Sequence, residues 1–248
     1  MIRIVDLHKA FGGKPVLLGV HLEVARGEIM VVIGQSGSGK SVLLKHLIGL
    51  LAPDRGEIYI DGREVTRLPR QARLEVARRF GYLFQGAALF DSLTVAENVA
   101  FGLERYTAYD RDEIRRIVTE SLEKVGLRGV EDLMPHELSG GMKKRVGLAR
   151  AVAYKPEIIL YDEPSTGIDP IRADSINDLI LQLKREMGVT SVVITHDMVS
   201  TFKLADRVAM LYQGRIVEVG SPAEIRASLS PVVQQFIHGR ATGPITDY

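Results

Sequence analysis

A glycine-rich stretch at residues 34–41 carries the residue types that bind phosphate groups. It follows the apolar run Ile29–Ile33, and an apolar helical pattern begins just after it. The stretch fits Gly-x-x-x-x-Gly-Lys-Ser, in which glycines let backbone N–H groups converge on phosphate oxygens at a helix N-terminus. In this pattern Lys40 reaches the outer phosphates of a nucleotide, and the Ser41 hydroxyl binds Mg²⁺. The residues of this predicted phosphate loop are Gly34, Gln35, Ser36, Gly37, Ser38, Gly39, Lys40 and Ser41.

Two acidic residues end a second apolar run. Asp162 and Glu163 follow residues 158–161, and Pro164 then stops the strand abruptly. Ligands of parallel sheets gather at the carboxyl ends of the strands. We therefore expect Asp162 to hold Mg²⁺, directly or through water, and Glu163 to orient the attacking water. The alternative is an acidic pair that faces solvent.

A second candidate for anion binding lies at residues 138–141, Leu-Ser-Gly-Gly, before a helical pattern that begins near Met142. Serine and glycine at a helix N-terminus form a nest of N–H groups. The plainer interpretation is an ordinary helix cap. Because this nest has no lysine of its own, and the chain already has one complete phosphate loop, we interpret it as a half-site that a second copy completes.

The elements that must position these residues alternate between strand and helix. Strand patterns at residues 158–161 and 191–194 are separated by a helical one, which predicts right-handed crossovers and a parallel sheet. Near the N-terminus, Asp61-Gly62 between apolar alternations indicates a hairpin, so an antiparallel sheet flanks the parallel core. A middle segment is helical, with a capping box that begins at Thr94 and an amphipathic helix over residues 110–125.

Composition narrows the function classes. The 32 Lys and Arg residues nearly balance the 31 Asp and Glu residues, without a basic arm, so we expect no nucleic-acid partner. The absence of cysteine excludes disulfides, thiolate catalysis and Cys-ligated zinc. No apolar stretch is long enough to span a bilayer and no signal-peptide core is present, so we expect a cytoplasmic chain that other subunits hold at any membrane.

Together these motifs resemble the nucleotide-binding subunit of ABC (ATP-binding cassette) transporters, over nearly the whole chain. Residues 34–41 match the Walker A loop, residues 138–141 match the ABC signature, and Asp162 with Glu163 match Walker B and the catalytic glutamate. The resemblance implies an α/β fold: a P-loop NTPase core with a RecA-like parallel sheet, an antiparallel β subdomain and an inserted α-helical signature subdomain.

The resemblance also implies domain boundaries. The nucleotide-binding domain covers residues 1–238, and the helical subdomain is inserted at about residues 86–155. Residues 239–248 form a short C-terminal tail, which we expect to be mobile.

Four further residues receive roles from the resemblance alone. Phe11 stacks on adenine, and Gln85 senses Mg²⁺ and the attacking water and faces the membrane subunit. Asp169 belongs to a loop that crosses the dimer interface, and His196 hydrogen-bonds the γ-phosphate. Taken singly, Phe11 is also consistent with a core aromatic, Gln85 with a surface glutamine, and His196 with a histidine that caps a helix or packs.

The mechanism implied by the resemblance is a head-to-tail homodimer that closes around ATP. Each ATP lies between the phosphate loop of one copy and Ser139, Gly140 and Gly141 of the other. The catalytic set is Lys40, Gln85, Glu163 and His196. The Mg²⁺ ligands are Ser41, Gln85 and Asp162.

Two segments indicate a branch of the family. Residues 142–150, with Met142 where glutamine is usual, and residues 83–95 resemble the Mla/Mce lipid-transport ATPases. This implies a peripheral subunit on the cytoplasmic side of the inner membrane that drives phospholipid transport. Its partners would be an integral membrane permease, an Mce-domain lipid-binding protein and a STAS-domain protein. The alternatives are an ABC transporter for an organic solvent or amino acid, and a non-transport ABC ATPase.

Overall fold

The computed structural model describes residues 1–246 of the 248-residue chain. The strands are β1 (Ile2–Phe11), β2 (Lys14–Val24), β3 (Ile29–Ile33), β4 (Arg55–Ile60), β5 (Arg63–Glu64), β6 (Phe80–Leu83), β7 (Ile158–Asp162), β8 (Thr190–Thr195), β9 (Arg207–Tyr212) and β10 (Arg215–Gly220). The α-helices are α1 (Lys40–Leu47), α2 (Arg70–Ala77), α3 (Val95–Tyr106), α4 (Arg111–Lys124), α5 (Gly140–Val152), α6 (Pro170–Met187), α7 (Met198–Leu204), α8 (Pro222–Arg226) and α9 (Pro231–Ile237).

These elements divide into two compact units. The first unit combines residues 1–76 with residues 190–246, and the second comprises residues 77–189. Each unit has its own strands, helices and candidate functional residues.

The first unit contains a mainly parallel sheet in the order β10-β9-β3-β8. Every residue of β3 and of β8 is buried, as expected for apolar strands covered on both faces. Strand β3 runs parallel to both neighbours, and Ile33 pairs with Thr195 on one side and with Met210 on the other. The segments that follow Ile33 and Thr195 therefore leave the sheet at the same edge.

The first unit also contains the antiparallel sheet expected from the sequence, in the order β2-β1-β4-β5. The predicted hairpin joins β4 to β5, where Ile60 pairs with Arg63. Its two turn residues, Asp61 and Gly62, have φ values of 50° and 78°. Two consecutive positive φ values are the requirement of the tight hairpin turn that Asp-Gly favours.

The second unit is built on the parallel pair β6 and β7, in which Leu83 pairs with Tyr161. Helix α3 packs against α4 and α5. The predicted capping box is present at the start of α3, where Thr94 and Glu97 satisfy each other's backbone N–H groups. Asp110 caps α4 in the same way. Local side-chain chemistry thus fixes where both helices begin.

The C-terminal segment differs from the expected mobile tail. Ile245 is buried, its N–H donates to Gln235 Oε1 at 2.6 Å, and its carbonyl accepts from Gln235 Nε2 at 2.9 Å. The Tyr212 hydroxyl also donates to the Pro244 carbonyl at 3.1 Å. One buried side chain and one amide therefore anchor this segment. The end of the expected tail, residues 247 and 248, lies outside the described residues.

Candidate nucleotide-binding and hydrolysis site

The phosphate loop connects β3 to α1 through backbone conformations that favour glycine. Gly34 and Gly39 have φ values of 156° and 102°. Gly39 is the N-cap of α1 and supplies no side-chain hydrogen bond, so the first backbone N–H groups of the helix remain for a ligand. The buried Lys40 ammonium donates to the carbonyls of Gly34 and Gln35 at 2.7 and 2.8 Å. Lys40 therefore holds the loop closed from within.

The loop also contains an unsatisfied hydroxyl. Ser38 Oγ is buried and has no hydrogen-bond partner among residues 1–246. A Cβ atom on Gly34 would lie only 2.9 Å from this oxygen, so glycine keeps the space beside the hydroxyl open. A buried donor next to orphan N–H groups at a helix N-terminus fits an anionic phosphate group.

His196 lies close to this loop through sheet register. It follows Thr195, which pairs with Ile33, the last residue before Gly34. Its side chain is exposed. The next residue, Asp197, accepts hydrogen bonds from the N–H groups of Val199 and Ser200 and so caps α7. The cap fixes the backbone that carries His196 at the edge of the sheet where the phosphate loop begins.

Phe11 ends β1 on the surface of the first unit. Its side chain is 44% exposed, and the Lys9 ammonium lies 5.4 Å from the ring centroid. Lys9 itself is held by an ion pair with Asp54 at 2.8 Å. The ring therefore does not belong to the core, which removes one of the two sequence interpretations.

In the second unit, sheet register brings Gln85 and Glu163 to one edge. Leu83 pairs with Tyr161 in parallel strands, and each candidate residue lies two positions further along the chain, just beyond the end of its strand. Gln85 is exposed, whereas Asp162 and Glu163 are 6% and 8% exposed. The predicted acidic pair is therefore buried, and the interpretation as a solvent-facing pair is wrong.

The carboxylate of Asp162 is supported by a tyrosine. The Tyr82 hydroxyl donates to Asp162 Oδ2 at 3.1 Å. Burial raises the pKa of Tyr82, and the neighbouring Asp162 charge raises it further, so the phenol stays protonated and donates to the carboxylate. A buried, oriented carboxylate oxygen is a ligand type that Mg²⁺ prefers. The Asp162 carboxylate thus fits a role as a ligand of Mg²⁺.

Glu163 adopts a left-handed backbone conformation, with φ of 50°. Thr166 stabilises it twice: its N–H donates to the Glu163 carbonyl at 3.2 Å, and its hydroxyl donates to Glu163 Oε2 at 3.1 Å. Such strain in a non-glycine residue persists only where the surroundings enforce it, and it concentrates at functional sites. The turn therefore fixes the direction of this carboxylate.

The candidate half-site lies at the start of α5. Ser139 is the N-cap, and its hydroxyl accepts from the Met142 N–H at 3.3 Å. Ser139 and Gly140 are exposed, so the positive end of the helix faces solvent. Asp169 is also a helix cap, since it accepts from the Arg172 N–H at 3.0 Å at the start of α6.

The sequence analysis assigned no individual role to two basic residues of α5. Lys144 donates to the backbone carbonyls of Gln85 and Glu163, and Arg150 donates to the carbonyls of Ala87 and Ala88. A signal was present for Lys144, because it lies four positions before Leu148 and shares the buried stripe of the helix. A lysine on an apolar stripe is unusual unless it has partners.

Comparison with known proteins identifies this arrangement. Residues 17–166 match the ABC transporter family. The chain belongs to the ABC transporter family. This ABC ATPase is 42% identical to the "probable ribonucleotide transport ATP-binding protein mkl" of Mycobacterium leprae, over 98% of this chain and 70% of the relative. It is 39% identical to the "intermembrane phospholipid transport system ATP-binding protein MlaF" of Escherichia coli K12, over 99% of this chain and 91% of that protein.

The structural comparison agrees. The ATP-binding cassette MJ0796, in a dimeric post-hydrolysis state bound to ADP and phosphate, superposes with a TM-score of 0.83 and 32% identity, over 90% of this chain and 99% of that chain. The predicted fold class, a P-loop NTPase α/β fold, is confirmed. This ABC ATPase, an MlaF-like ATP-binding subunit, hydrolyses ATP. Within residues 1–246, none of its helices has the length and apolar character needed to cross a membrane.

Proposed function

We propose that this ABC ATPase powers phospholipid transport between membranes, through a partner permease and by ATP-driven closure of a head-to-tail homodimer. The observation that carries the catalytic part is the buried, backbone-strained Glu163 beside Asp162. The cargo is supported by 39% identity to an intermembrane phospholipid transport ATPase over nearly the whole of both chains.

The phosphate loop binds the triphosphate. The N–H groups at the start of α1 and the Ser38 hydroxyl contact phosphate oxygens, and Lys40 exchanges its loop carbonyls for the β- and γ-phosphates. Phe11 stacks on the adenine ring. Ser41, Gln85 and Asp162 would hold Mg²⁺, which neutralises charge on the outer phosphates. Most of the catalytic effect then comes from positioning and charge stabilisation.

Glu163 orients the attacking water or takes its proton. Its carboxylate direction is set by Thr166, so the water is held in one place relative to the scissile bond. His196 donates to the γ-phosphate. Gln85 connects the nucleotide to the surface that receives the permease.

Closure joins two copies of the chain. The exposed N-terminus of α5, with Ser139, Gly140 and Gly141, contacts the ATP held by the other copy, and Asp169 lies at the same interface. ATP drives closure because it contacts both copies only in the closed dimer. Hydrolysis removes the bridging γ-phosphate, and the dimer opens.

The partners follow from the proposed cargo. An integral membrane permease docks beside the loop after β6, where Phe90 is 42% exposed, and this ABC ATPase is peripheral on the cytoplasmic side of the inner membrane. An Mce-domain lipid-binding protein and a STAS-domain protein complete the complex. Within the chain, residues 1–238 form the nucleotide-binding domain, with the helical subdomain inserted at about residues 86–155.

Substitution of the catalytic carboxylate tests the enzymatic proposal. Glu163→Gln keeps the size and burial of the side chain but removes the charge that orients water, so turnover should fall about 100-fold or more. ATP binding should persist, and gel filtration with ATP should show a trapped dimer. Glu104→Gln, an exposed change on α3, is the matched control. Wild-type turnover by Glu163→Gln would exclude the assigned role.

Affinity purification from detergent-solubilised membranes tests the cargo. We expect mass spectrometry to find a permease, an Mce-domain protein and bound phospholipid. The mycobacterial relative bears the name of a ribonucleotide transport protein, which gives the competing candidate. A complex that contains a permease, no Mce-domain protein and bound ribonucleotide would replace the phospholipid proposal with that one.

A further inference from the structure

One face of α5 contacts the loop that follows β6. This loop, residues 85–88, carries the exposed Gln85 and connects β6 to the segment before α3. The contacts come from Lys144, Gly147 and Arg150. All of these residues belong to the second unit of the chain.

Lys144 links two backbone segments. Its ammonium donates to the Gln85 carbonyl and, at 3.3 Å, to the Glu163 carbonyl. The side chain is 5% exposed. Burial lowers the pKa of the Lys144 ammonium, and the carboxylates of Asp162 and Glu163 oppose that effect. A buried charge is stable only with close partners, so these carbonyls and carboxylates explain why a lysine can occupy this position.

Arg150 holds the rest of the same loop. Its guanidinium donates to the Ala87 carbonyl at 2.6 Å and to the Ala88 carbonyl at 2.8 Å. Both alanines have positive φ, 63° and 47°, a conformation that costs free energy in a residue with a Cβ atom. The guanidinium fixes this conformation from outside the loop.

Gly147 brings the helix close enough for both contacts. A Cβ atom at this position would lie 2.9 Å from Leu83 Cδ1 and 3.3 Å from the Ala87 Cβ. The glycine therefore lets α5 lie directly against the end of β6 and the start of the loop. A shift of α5 cannot occur here without moving the loop or breaking its hydrogen bonds.

We propose that Lys144 is a positioning residue for ATP hydrolysis: it holds the backbones of Gln85 and Glu163 in a fixed relation to α5. The N-terminus of α5 is the half-site that meets the nucleotide of the other copy. Its movement on closure is transmitted through Lys144 to the loop that faces the permease and to the carboxylate that orients water. This inference rests on the proposed roles of Gln85 and Glu163.

The backbone contact matters because it sets a side-chain direction. Glu163 is held in the left-handed region, and its carbonyl accepts from Thr166 as well as from Lys144. Loss of one donor allows the peptide to rotate, which displaces the carboxylate. Displacements of about 1 Å in a catalytic group cost on the order of 100-fold in rate.

Three variants separate the positioning role from a purely structural one. Lys144→Met keeps the length of the side chain and removes its donors, Lys144→Arg keeps donors and charge, and Lys143→Met is the neighbouring control. We expect Lys144→Met to lower kcat about tenfold or more with KM for ATP changed less than about twofold. Lys144→Arg should recover most of the loss, and Lys143→Met should match the wild type.

A second measurement does not depend on turnover. Hydrogen–deuterium exchange of the nucleotide-free full chain should show faster exchange at residues 84–88 in Lys144→Met, and unchanged exchange there in Lys143→Met. If Lys144→Met does not fold, Lys144→Gln, whose neutral amide is a weaker donor than the ammonium, replaces it; its kcat should lie below that of the wild type but above that expected on complete loss of the donors.

Two results would overturn the inference. One is Lys144→Met with wild-type kcat and wild-type exchange at residues 84–88. The other is a loss of activity that merely follows the loss of folded protein and that Lys144→Arg does not recover. These outcomes differ from a failure of the proposed function. The proposed role of Glu163 fails if Glu163→Gln hydrolyses ATP at the wild-type rate. An inactive Glu163→Gln beside a fully active Lys144→Met contradicts only the role of Lys144.

Discussion

The left-handed backbone of Glu163 costs about 1–3 kcal/mol of conformational free energy, at the residue proposed to orient the attacking water. Thr166 and Lys144 supply the hydrogen bonds that maintain it. Ala87 and Ala88 repeat the arrangement, with Arg150 as donor. At Glu163, Ala87 and Ala88, the strained backbone therefore accepts hydrogen bonds from cations of α5.

Gly34 offers a residue-scale prediction in the first unit. A Cβ atom there would lie 2.3 Å from the Leu211 carbonyl oxygen and 2.9 Å from Ser38 Oγ. The carbonyl belongs to β9 and cannot move without breaking the sheet. Gly34→Ala should therefore lower the free energy of unfolding by about 2 kcal/mol or more and weaken ATP binding, as measured by thermal unfolding and by titration with a fluorescent ATP analogue.

Gly37→Ala is the matched control for this prediction. Gly37 also has a positive φ, 79°, but no atom of residues 1–246 beyond its immediate chain neighbours lies within 4 Å of its hypothetical Cβ. Its substitution strains the backbone without a clash, so about 1 kcal/mol is expected. If Gly34→Ala and Gly37→Ala lower the free energy of unfolding equally, the steric clash at Gly34 is not the reason that this position needs glycine.

Sequence alone identified residues whose types are tied to a pattern. The phosphate loop, the acidic pair and the serine–glycine nest have fixed spacings with a chemical reason. Lys144 and Arg150 have no such spacing, because they bind backbone carbonyls, which every residue offers. Only the three-dimensional path of residues 85–88 reveals what those two side chains hold.

At the scale of elements, parallel register does most of the positioning. Pairing of Ile33 with Thr195 brings the phosphate loop and His196 to one edge, and pairing of Leu83 with Tyr161 does the same for Gln85 and Glu163. Strand–helix alternation predicted the parallel strands, and the hairpin and capping boxes also followed from local chemistry. The anchored segment at Ile245 did not, because one apolar residue gives no periodic signal.

Helix α1 carries a histidine whose titration should affect stability. His46 is 3% exposed, and its Nδ1 donates to the Val42 carbonyl at 2.7 Å, since a carbonyl can only accept. Its Nε2 is buried and has no partner among residues 1–246. Burial lowers the pKa of His46 below its usual value of 6.5; the hydrogen bond to the Val42 carbonyl opposes this shift only in part, and the Lys9 charge lowers the pKa further. The folded state therefore favours the neutral ring.

The preference of the folded state for neutral His46 should make the protein less stable in acid. The unfolded chain binds this proton more readily than the folded chain, so the contribution of His46 is present above pH 6.5 and is lost as the pH falls below it. The thermal midpoint should drop between pH 7.5 and 5.5, and His46→Asn should flatten that part of the curve.

His238 supplies the control for the pH experiment. It makes the same contact with a carbonyl four residues earlier, Gln234, but it is exposed in the residue after α9. His238→Asn should leave the slope of the wild type unchanged. If His46→Asn retains the full wild-type slope, groups other than the buried imidazole cause the loss of stability in acid.

At the scale of the whole molecule, each copy carries a phosphate loop and, at the start of α5, the exposed helix N-terminus proposed as a half-site for the other copy. Ser139 caps α5, and both Ser139 and Gly140 are exposed, so a second copy can reach them. The near balance of 32 basic and 31 acidic residues leaves a formal net charge of only +1, so repulsion between two copies is small. The proposed dimer thus has two identical ATP sites at the interface. Each site, called a seam below, combines the phosphate loop of one copy with the half-site of the other.

Mixing inactive variants tests those seams. Lys40→Ala removes the phosphate-loop cation, and Ser139→Arg blocks the half-site, so each variant alone should be inactive, although Ser139→Arg still binds ATP. In an equimolar mixture about half of the dimers contain one chain of each kind, and each of these has one intact seam of two. The mixture should therefore recover up to about a quarter of the wild-type ATPase rate.

A second mixture tests which residues act on the same nucleotide from the same chain. Lys40 and Glu163 act on the same nucleotide from the same chain in the proposed dimer, so mixing Lys40→Ala with Glu163→Gln leaves no seam intact and should recover nothing. Recovery with Ser139→Arg but not with Glu163→Gln requires that the half-site act across the interface. Equal recovery in both mixtures, or in neither, would contradict the head-to-tail arrangement, because a seam built from one chain alone cannot distinguish the two partners.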